Sequence, residues 1–116
     1  MKIKDYIRGD TRVININCFQ SDGSTPLDLT GATVYFTLNS SNMPTDDTSA
    51  SLAKTTTIHI APTLGQTSIT INTADTQNLT PGDYNYDVQI KDSAGRITSL
   101  KQDIFTINPD ITRTNV

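Results

Sequence analysis

The sequence predicts an all-β domain built as an antiparallel sandwich, and three observations carry that prediction. The chain has 116 residues with twenty Thr and thirteen Ile, no Glu, and Asp at all twelve acidic positions. Thr and Ile are β-branched and fit a pleated surface, whereas strong helix formers are scarce. Apolar residues also recur at every second position in short runs, the period of a half-buried strand. Finally, Gly, Pro, Asn and Asp punctuate those runs every 8 to 15 residues or so, a spacing that fits about seven short strands. A small barrel fits the same spacing.

Residues 1–10 hold no apolar run and read as an N-terminal arm, without the apolar core of a secretory signal. Residues 11–19 alternate Ile14, Ile16 and Cys18 with Asn15 and Asn17, which predicts the first strand. Asp22-Gly23 signals a turn, and residues 26–31 make a tight passage into a strand over 32–39 with Val34, Phe36 and Leu38 on one face. Residues 40–51 are polar, contain Pro44 and lack periodicity, so they predict a long loop of the kind that often carries function.

Residues 52–60 begin polar and end with Ile58 and Ile60 facing one way. A turn around Gly65 then leads to a strand over 67–72 carrying Ile69 and Ile71. Residues 73–79 predict one helical turn, with Asp75 as a local cap. From Pro81-Gly82 the clearest strand opens, with Tyr84, Tyr86, Val88 and Ile90 on one face. Residues 92–95 predict a hairpin connection. The last strand, 96–107, is long enough to need a bulge or bend, and Asn108-Pro109 ends it. Residues 110–116 form a polar C-terminal tail.

The most informative stretch is 75–88, which reads as a short turn, Leu79, a Pro81-Gly82 corner and a strand opening with Tyr84 and Tyr86. It resembles the corner before strand F of immunoglobulin-like sandwiches, where a Tyr hydroxyl bonds back to upstream backbone. Either Tyr84 or Tyr86 fits that role. The order of three phrases extends the likeness. Arg8-Gly9-Asp10-Thr11 precedes a strand, Pro26-Leu27-Asp28-Leu29-Thr30-Gly31 leads into the next, and the Pro81-Gly82 corner leads to Asp92-Ser93-Ala94-Gly95-Arg96. Over roughly residues 6–108 the chain resembles the immunoglobulin-like N-terminal domain of tailed-phage upper baseplate proteins. That resemblance implies a single immunoglobulin-like antiparallel β-sandwich of about seven strands. It also implies a structural attachment module of the virion, present in many symmetric copies and made in the host bacterial cytoplasm. The expected partners are other virion proteins of the tail, baseplate, neck or capsid surface.

The residues themselves point away from catalysis. His59 is the sole histidine and lies on the face opposite Ile58 and Ile60, as an exposed or edge-strand residue. No nucleophile motif or phosphate-cradling loop is present, and the loop carboxylates match no calcium-loop spacing. No catalytic, cofactor or metal site is expected. Arg8-Gly9-Asp10 reads as a turn entering a strand, not as an adhesion tripeptide. A net charge of −3 without a basic block gives no electrostatic footprint for nucleic acid, and no apolar run approaches membrane-spanning length. Cys18 reads as a small core hydrophobe. Docking is expected through uncharged sheet edges, the long loop and the tails, with Asn42, Asp46, Asp47, Thr55, Thr57, Thr112 and Arg113 as candidates. A carbohydrate- or host-receptor-binding module is the alternative. Against it stand the absence of Trp and an aromatic content of 6%.

Overall fold

The structure is a computed structural model that describes residues 2–20, 22–40 and 50–111. Among them are seven strands: β1 (Ile3–Ile7), β2 (Arg12–Asn17), β3 (Thr33–Asn39), β4 (Leu52–Thr56), β5 (Gln66–Ile71), β6 (Gly82–Lys91) and β7 (Ile97–Asn108). A 3₁₀ turn (Pro62–Leu64) precedes β5, and a one-turn helix α1 (Thr73–Thr76) follows it. The strands form a five-stranded sheet ordered β1-β7-β6-β3-β4 and a two-stranded sheet β2-β5. The β7-β6-β3 order facing β2 and β5 matches the central strands of an immunoglobulin-like sandwich, while β1 joins the β7 edge and not the β2 sheet.

The two sheets meet through the alternation visible in the sequence. Val34, Phe36 and Leu38 of β3 and Tyr84, Tyr86, Val88 and Ile90 of β6 are all buried, as are Ile14, Ile16, Ile69 and Ile71 from the small sheet. Phe105 lies at the centre of an aromatic cluster, 5.2 Å from Tyr6, 6.2 Å from Phe36 and 6.5 Å from Tyr86 between ring centroids. Tilted and edge-on contacts of this kind add to plain burial. Cys18 packs in the same core, 1% exposed.

The predicted corner is present, and Tyr84 makes it. Its Oη donates to the Thr80 carbonyl at 2.6 Å, four residues upstream. Tyr86 instead stacks on Phe36 at 5.5 Å within the core. Gly82 adopts φ 149°, a backbone conformation that L side chains rarely enter. Leu79 is half-buried against the core, and its carbonyl accepts Arg8 Nη1 at 3.1 Å.

The expected bulge in the last strand is also found. Pairing passes from Val88–Lys101 to Gln89–Ser99, leaving Leu100 as the extra residue of β7. That residue packs, half-buried, against the core. Asp75 acts at the helical turn by accepting the Asn72 backbone N–H at 2.7 Å.

Three expectations need correction. Residues 1–10 are no free arm: Ile3–Ile7 is β1, and it runs parallel to β7, so the sandwich is not wholly antiparallel. Its alternation was unreadable because pairing passes from Ile3–Phe105 to Tyr6–Ile107, three steps on β1 against two on β7. This irregularity turns both Ile3 and Tyr6 inward, at a spacing that period two forbids. The tail is likewise tied at its start, where Arg8 Nε meets Asp110 Oδ1 at 2.8 Å. The third correction concerns residues 57–60. β4 ends at Thr56, and Ile58 and Ile60 are 84% and 63% exposed. The sides are those predicted, but the inward side is the one carrying His59.

Tyr6 is fully buried, and its hydroxyl joins three segments. Gly9 N–H donates to Thr76 Oγ1 at 2.9 Å. Tyr6 Oη donates to the Asp10 carbonyl at 2.7 Å and lies 2.6 Å from Thr76 Oγ1. Each hydroxyl has one proton, so the bonds run in a single direction: Gly9 N–H to Thr76, Thr76 to Tyr6, Tyr6 to Asp10. Tyr6→Phe leaves the buried Thr76 hydroxyl and the Asp10 carbonyl short of a partner. It should cost about 1–3 kcal/mol, against about 1 kcal/mol for Tyr84→Phe, whose partner Thr80 lies nearer water. Urea denaturation midpoints of the two variants check the order.

Burial pushes the Tyr6 and Tyr86 phenols above their ordinary value. Above about pH 10 the unfolded chain releases phenol protons that the folded chain still holds. Stability should therefore be unaffected by these groups below about pH 10 and fall as pH rises toward the folded values. Denaturation midpoints across that range should show a shallower alkaline decline in Tyr6→Phe than in the parent chain.

Candidate docking surface

A sandwich of two open sheets has two sides where sheet edges face each other. On one side lie β1 and β2. An ion pair between Arg12 and Asp5 at 2.7 Å crosses it, and the Arg12 guanidinium stands 6.0 Å over the Tyr6 ring. This pairing holds the Asp5 carboxyl below its ordinary value. The space left between the sheets near this side, beside Ile3, Ile14 and Phe36, is only about 10 Å³. That is no more than a single water requires.

The other side is built differently. β4 pairs with β3 so that Leu52, Lys54 and Thr56 stand opposite inward-facing Leu38, Phe36 and Val34. Leu52 is buried, but Lys54 and Thr56 are half-buried at the margin of the core. Lys54 Nζ reaches across to Asp75 Oδ2 of α1 at 2.7 Å. Burial raises the Asp75 carboxyl, but Lys54 and the Asn72 N–H outweigh it and hold the group below its ordinary value. Beside this ion pair the sheets diverge into an open cleft of about 380 Å³. Lys54, Thr55, Thr56 and Ile58 form one wall, and Ser68, Ile69, Thr70 and Asn72 form the other.

His59, next in sequence to Ile58 of the cleft wall, ties the neighbouring segment down. Its Nε2 lies 2.9 Å from the Ala32 carbonyl, which only accepts, so Nε2 carries a proton. Its Nδ1 lies 2.9 Å from Oγ1 of the buried Thr67, whose proton it accepts when the ring is neutral. The ring thus stitches the segment after β4 to the start of β3 and to β5. Gly65, at φ 71°, lets the chain turn into β5 against the end of β2: an added Cβ would meet the Cys18 carbonyl at 2.3 Å and the Leu27 carbonyl at 2.9 Å.

Of the docking candidates read from sequence, Thr55 lies on the exposed outer face of β4 and borders the cleft. Thr57 is exposed one residue beyond β4. Asn42, Asp46, Asp47, Thr112 and Arg113 lie outside the described residues, as does most of the long loop. The strand beginning at Thr67 reads from sequence as an uncharged edge open to pairing, but Ser68 and Thr70 are not singled out there and Ile58 reads as inward-facing. Their one signal is the uncharged run from Thr55 to Thr73, which spans both walls without revealing that they face each other.

In the Arg8-Gly9-Asp10 turn, the Arg8 side chain and the backbone of Gly9 and Asp10 are engaged internally, while Asp10 itself is exposed. Arg8 binds Asp110 and the Leu79 carbonyl, and the Asp10 carbonyl holds Tyr6. Among the described residues no three His, Cys or Asp side chains converge as a metal-holding group, and no helix is long and apolar enough to cross a membrane. Comparison with protein-family models finds none that matches this chain, and comparison with curated proteins finds no match.

Replacing His59 with Ala should leave the Thr67 hydroxyl and the Ala32 carbonyl unpaired at a buried junction. A loss of about 1–3 kcal/mol is expected. His59→Gln, which restores a donor and an acceptor, should recover part of it. Thermal and urea unfolding of both variants measure the difference.

Proposed function

We propose that this chain is a non-catalytic docking module of a tailed-phage virion, one immunoglobulin-like sandwich that attaches to other virion proteins. The observation that carries the reading is the open cleft between β4 and β5. It presents hydroxyl, amide and aliphatic groups, and its single ammonium is already paired with Asp75. Edges without bare charge are suited to pairing with another chain. The three ordered phrases that resemble the upper baseplate domain support the virion setting.

Partners would be tail, baseplate, neck or major capsid proteins in symmetric multiple copies, with the module located in the virion. Repetition on a symmetric particle compensates for a small contact per copy, because linked sites act at high effective concentration. The cleft walls contain no aromatic ring, which favours a protein partner over a sugar.

Purified particles from cells carrying the gene should contain the chain at a fixed stoichiometry, and gold-labelled antibody should mark one place on them. A glycan array should remain blank. Absence from particles together with saturable binding to a glycan would reverse the assignment in favour of a carbohydrate- or host-receptor-binding module.

A further inference from the structure

We propose that the cleft between β4 and β5 accepts an extended, uncharged segment of a partner protein as the third strand of the small sheet. This rests on the docking reading and narrows it to one edge and one chemistry of ligand.

The small sheet has only two strands, joined over six residue pairs from Arg12–Ile71 to Asn17–Gln66. Backbone N–H and C=O groups of an antiparallel strand point alternately to its two sides. Half of those on β5, at Gln66, Ser68 and Thr70, therefore face away from β2. Gln66 is bonded in both directions to Ala61, and among the described residues no strand pairs with the groups of Ser68 and Thr70, which face the cleft. β5 itself, Gln-Thr-Ser-Ile-Thr-Ile, contains no charge, Gly or Pro, so nothing along it opposes strand addition.

Lys54 on the opposite wall makes β4 the more polar of the two cleft edges, and the edges outside the cleft are less receptive. The β1/β2 side is crossed by Arg12 and Asp5, and the space beside Ile3 and Ile14 is only about 10 Å³. The outer edge of β7 is paired with β1 over Phe105–Asn108 and interrupted upstream by the Leu100 bulge, a feature that blunts an edge.

Charge selects the occupant. Apart from Lys54, satisfied by Asp75 at 2.7 Å, the cleft walls are neutral. A charged side chain entering there would lose water without gaining a counter-ion. An uncharged segment with β-branched side chains fits, gaining backbone bonds from β5 and covering Ile58, which is 84% exposed. The β5 edge is one wall of a cleft and not an outer rim, so a lone segment reaches it more readily than the edge of a second folded copy.

The test uses the full chain and the probe peptide acetyl-Thr-Val-Thr-Val-Thr-Val-amide, with a control in which Lys replaces each Val. Backbone amide shifts and hydrogen exchange are followed by NMR. Saturable binding of the Val peptide is expected, with the Ser68 and Thr70 amides slowed by roughly tenfold or more and the Lys peptide at least roughly tenfold weaker. Ile58→Lys, at an exposed position, should weaken binding by roughly tenfold, while Ile97→Lys, exposed at the start of β7, should not. Protection mapping to β1, β4 or β7, equal binding of the Lys peptide, or no effect of Ile58→Lys would overturn the proposal. Concentration-dependent dimerisation with the same β5 amides protected in the absence of peptide would also overturn it, by making a second copy the occupant. The docking reading fails separately, by absence of the chain from particles. If the chain stays on particles while the peptide result is negative, only the cleft assignment falls.

Discussion

The hydroxyl of Tyr6 is where the sandwich is tied together. β1 is a five-residue edge strand that meets the rest of the sheet through β7 alone, and so short an element holds its place only if something besides its ladder anchors it. Tyr6 supplies the anchor twice over. Its ring joins Phe105 in the aromatic cluster, and its hydroxyl links the β1–β2 turn to α1 through Thr76. Thr76 is itself fully buried, so both hydroxyls sit in a low-dielectric interior where satisfied bonds are strong and unsatisfied ones costly. Around this point the other ties follow. Asn108 Nδ2 donates to the Lys4 and Tyr6 carbonyls, and Arg8 clamps the chain after β7 through Asp110.

With β1 held in place, the two sides of the sandwich differ in kind. On the β1 side Tyr6 and Ile3 turn inward, and Arg12 lies over the Tyr6 ring. On the β4 side no equivalent strand is present among the described residues. That side is braced instead by the His59 ring and by the Lys54–Asp75 pair, which hold the walls without filling the space between them. An inward-pointing Lys at an edge commonly discourages indiscriminate pairing. Here its charge is neutralised at one end of the cleft, leaving the uncharged remainder of β5 accessible. A single fold thus carries one packed side and one open side.

Much of this architecture was legible in the residue pattern. Strands β2, β3, β5 and β6 follow clean alternation, and the Pro81-Gly82 corner, the Asp92–Gly95 hairpin and the break after Asn108 lie where turn chemistry placed them. β1 was not legible, since its register irregularity spaces Ile3 and Tyr6 three apart. The choice between Tyr84 and Tyr86 was not legible either. Both occupy inward positions of one strand, and only the course of the preceding turn brings the Thr80 carbonyl under Tyr84. At residues 58–60 alternation assigned the sides but hydrophobicity named the wrong one as inner. A histidine bonded through both ring nitrogens can be held inside while two isoleucines face out.

By itself the sequence determined the all-β class, most strand positions and the neutral chemistry of the β4–β5 region, because these follow from local periodicity and composition. It also marked the corner that places β6. Tertiary structure alone decided that the N-terminal segment is a strand, that Tyr6 meets a threonine seventy positions away, and that Lys54 and Thr56 stand across a cleft from Ser68 and Thr70. These are contacts between segments distant along the chain. Their pairing depends on which edges the sheets leave open, and no local pattern of residues encodes that.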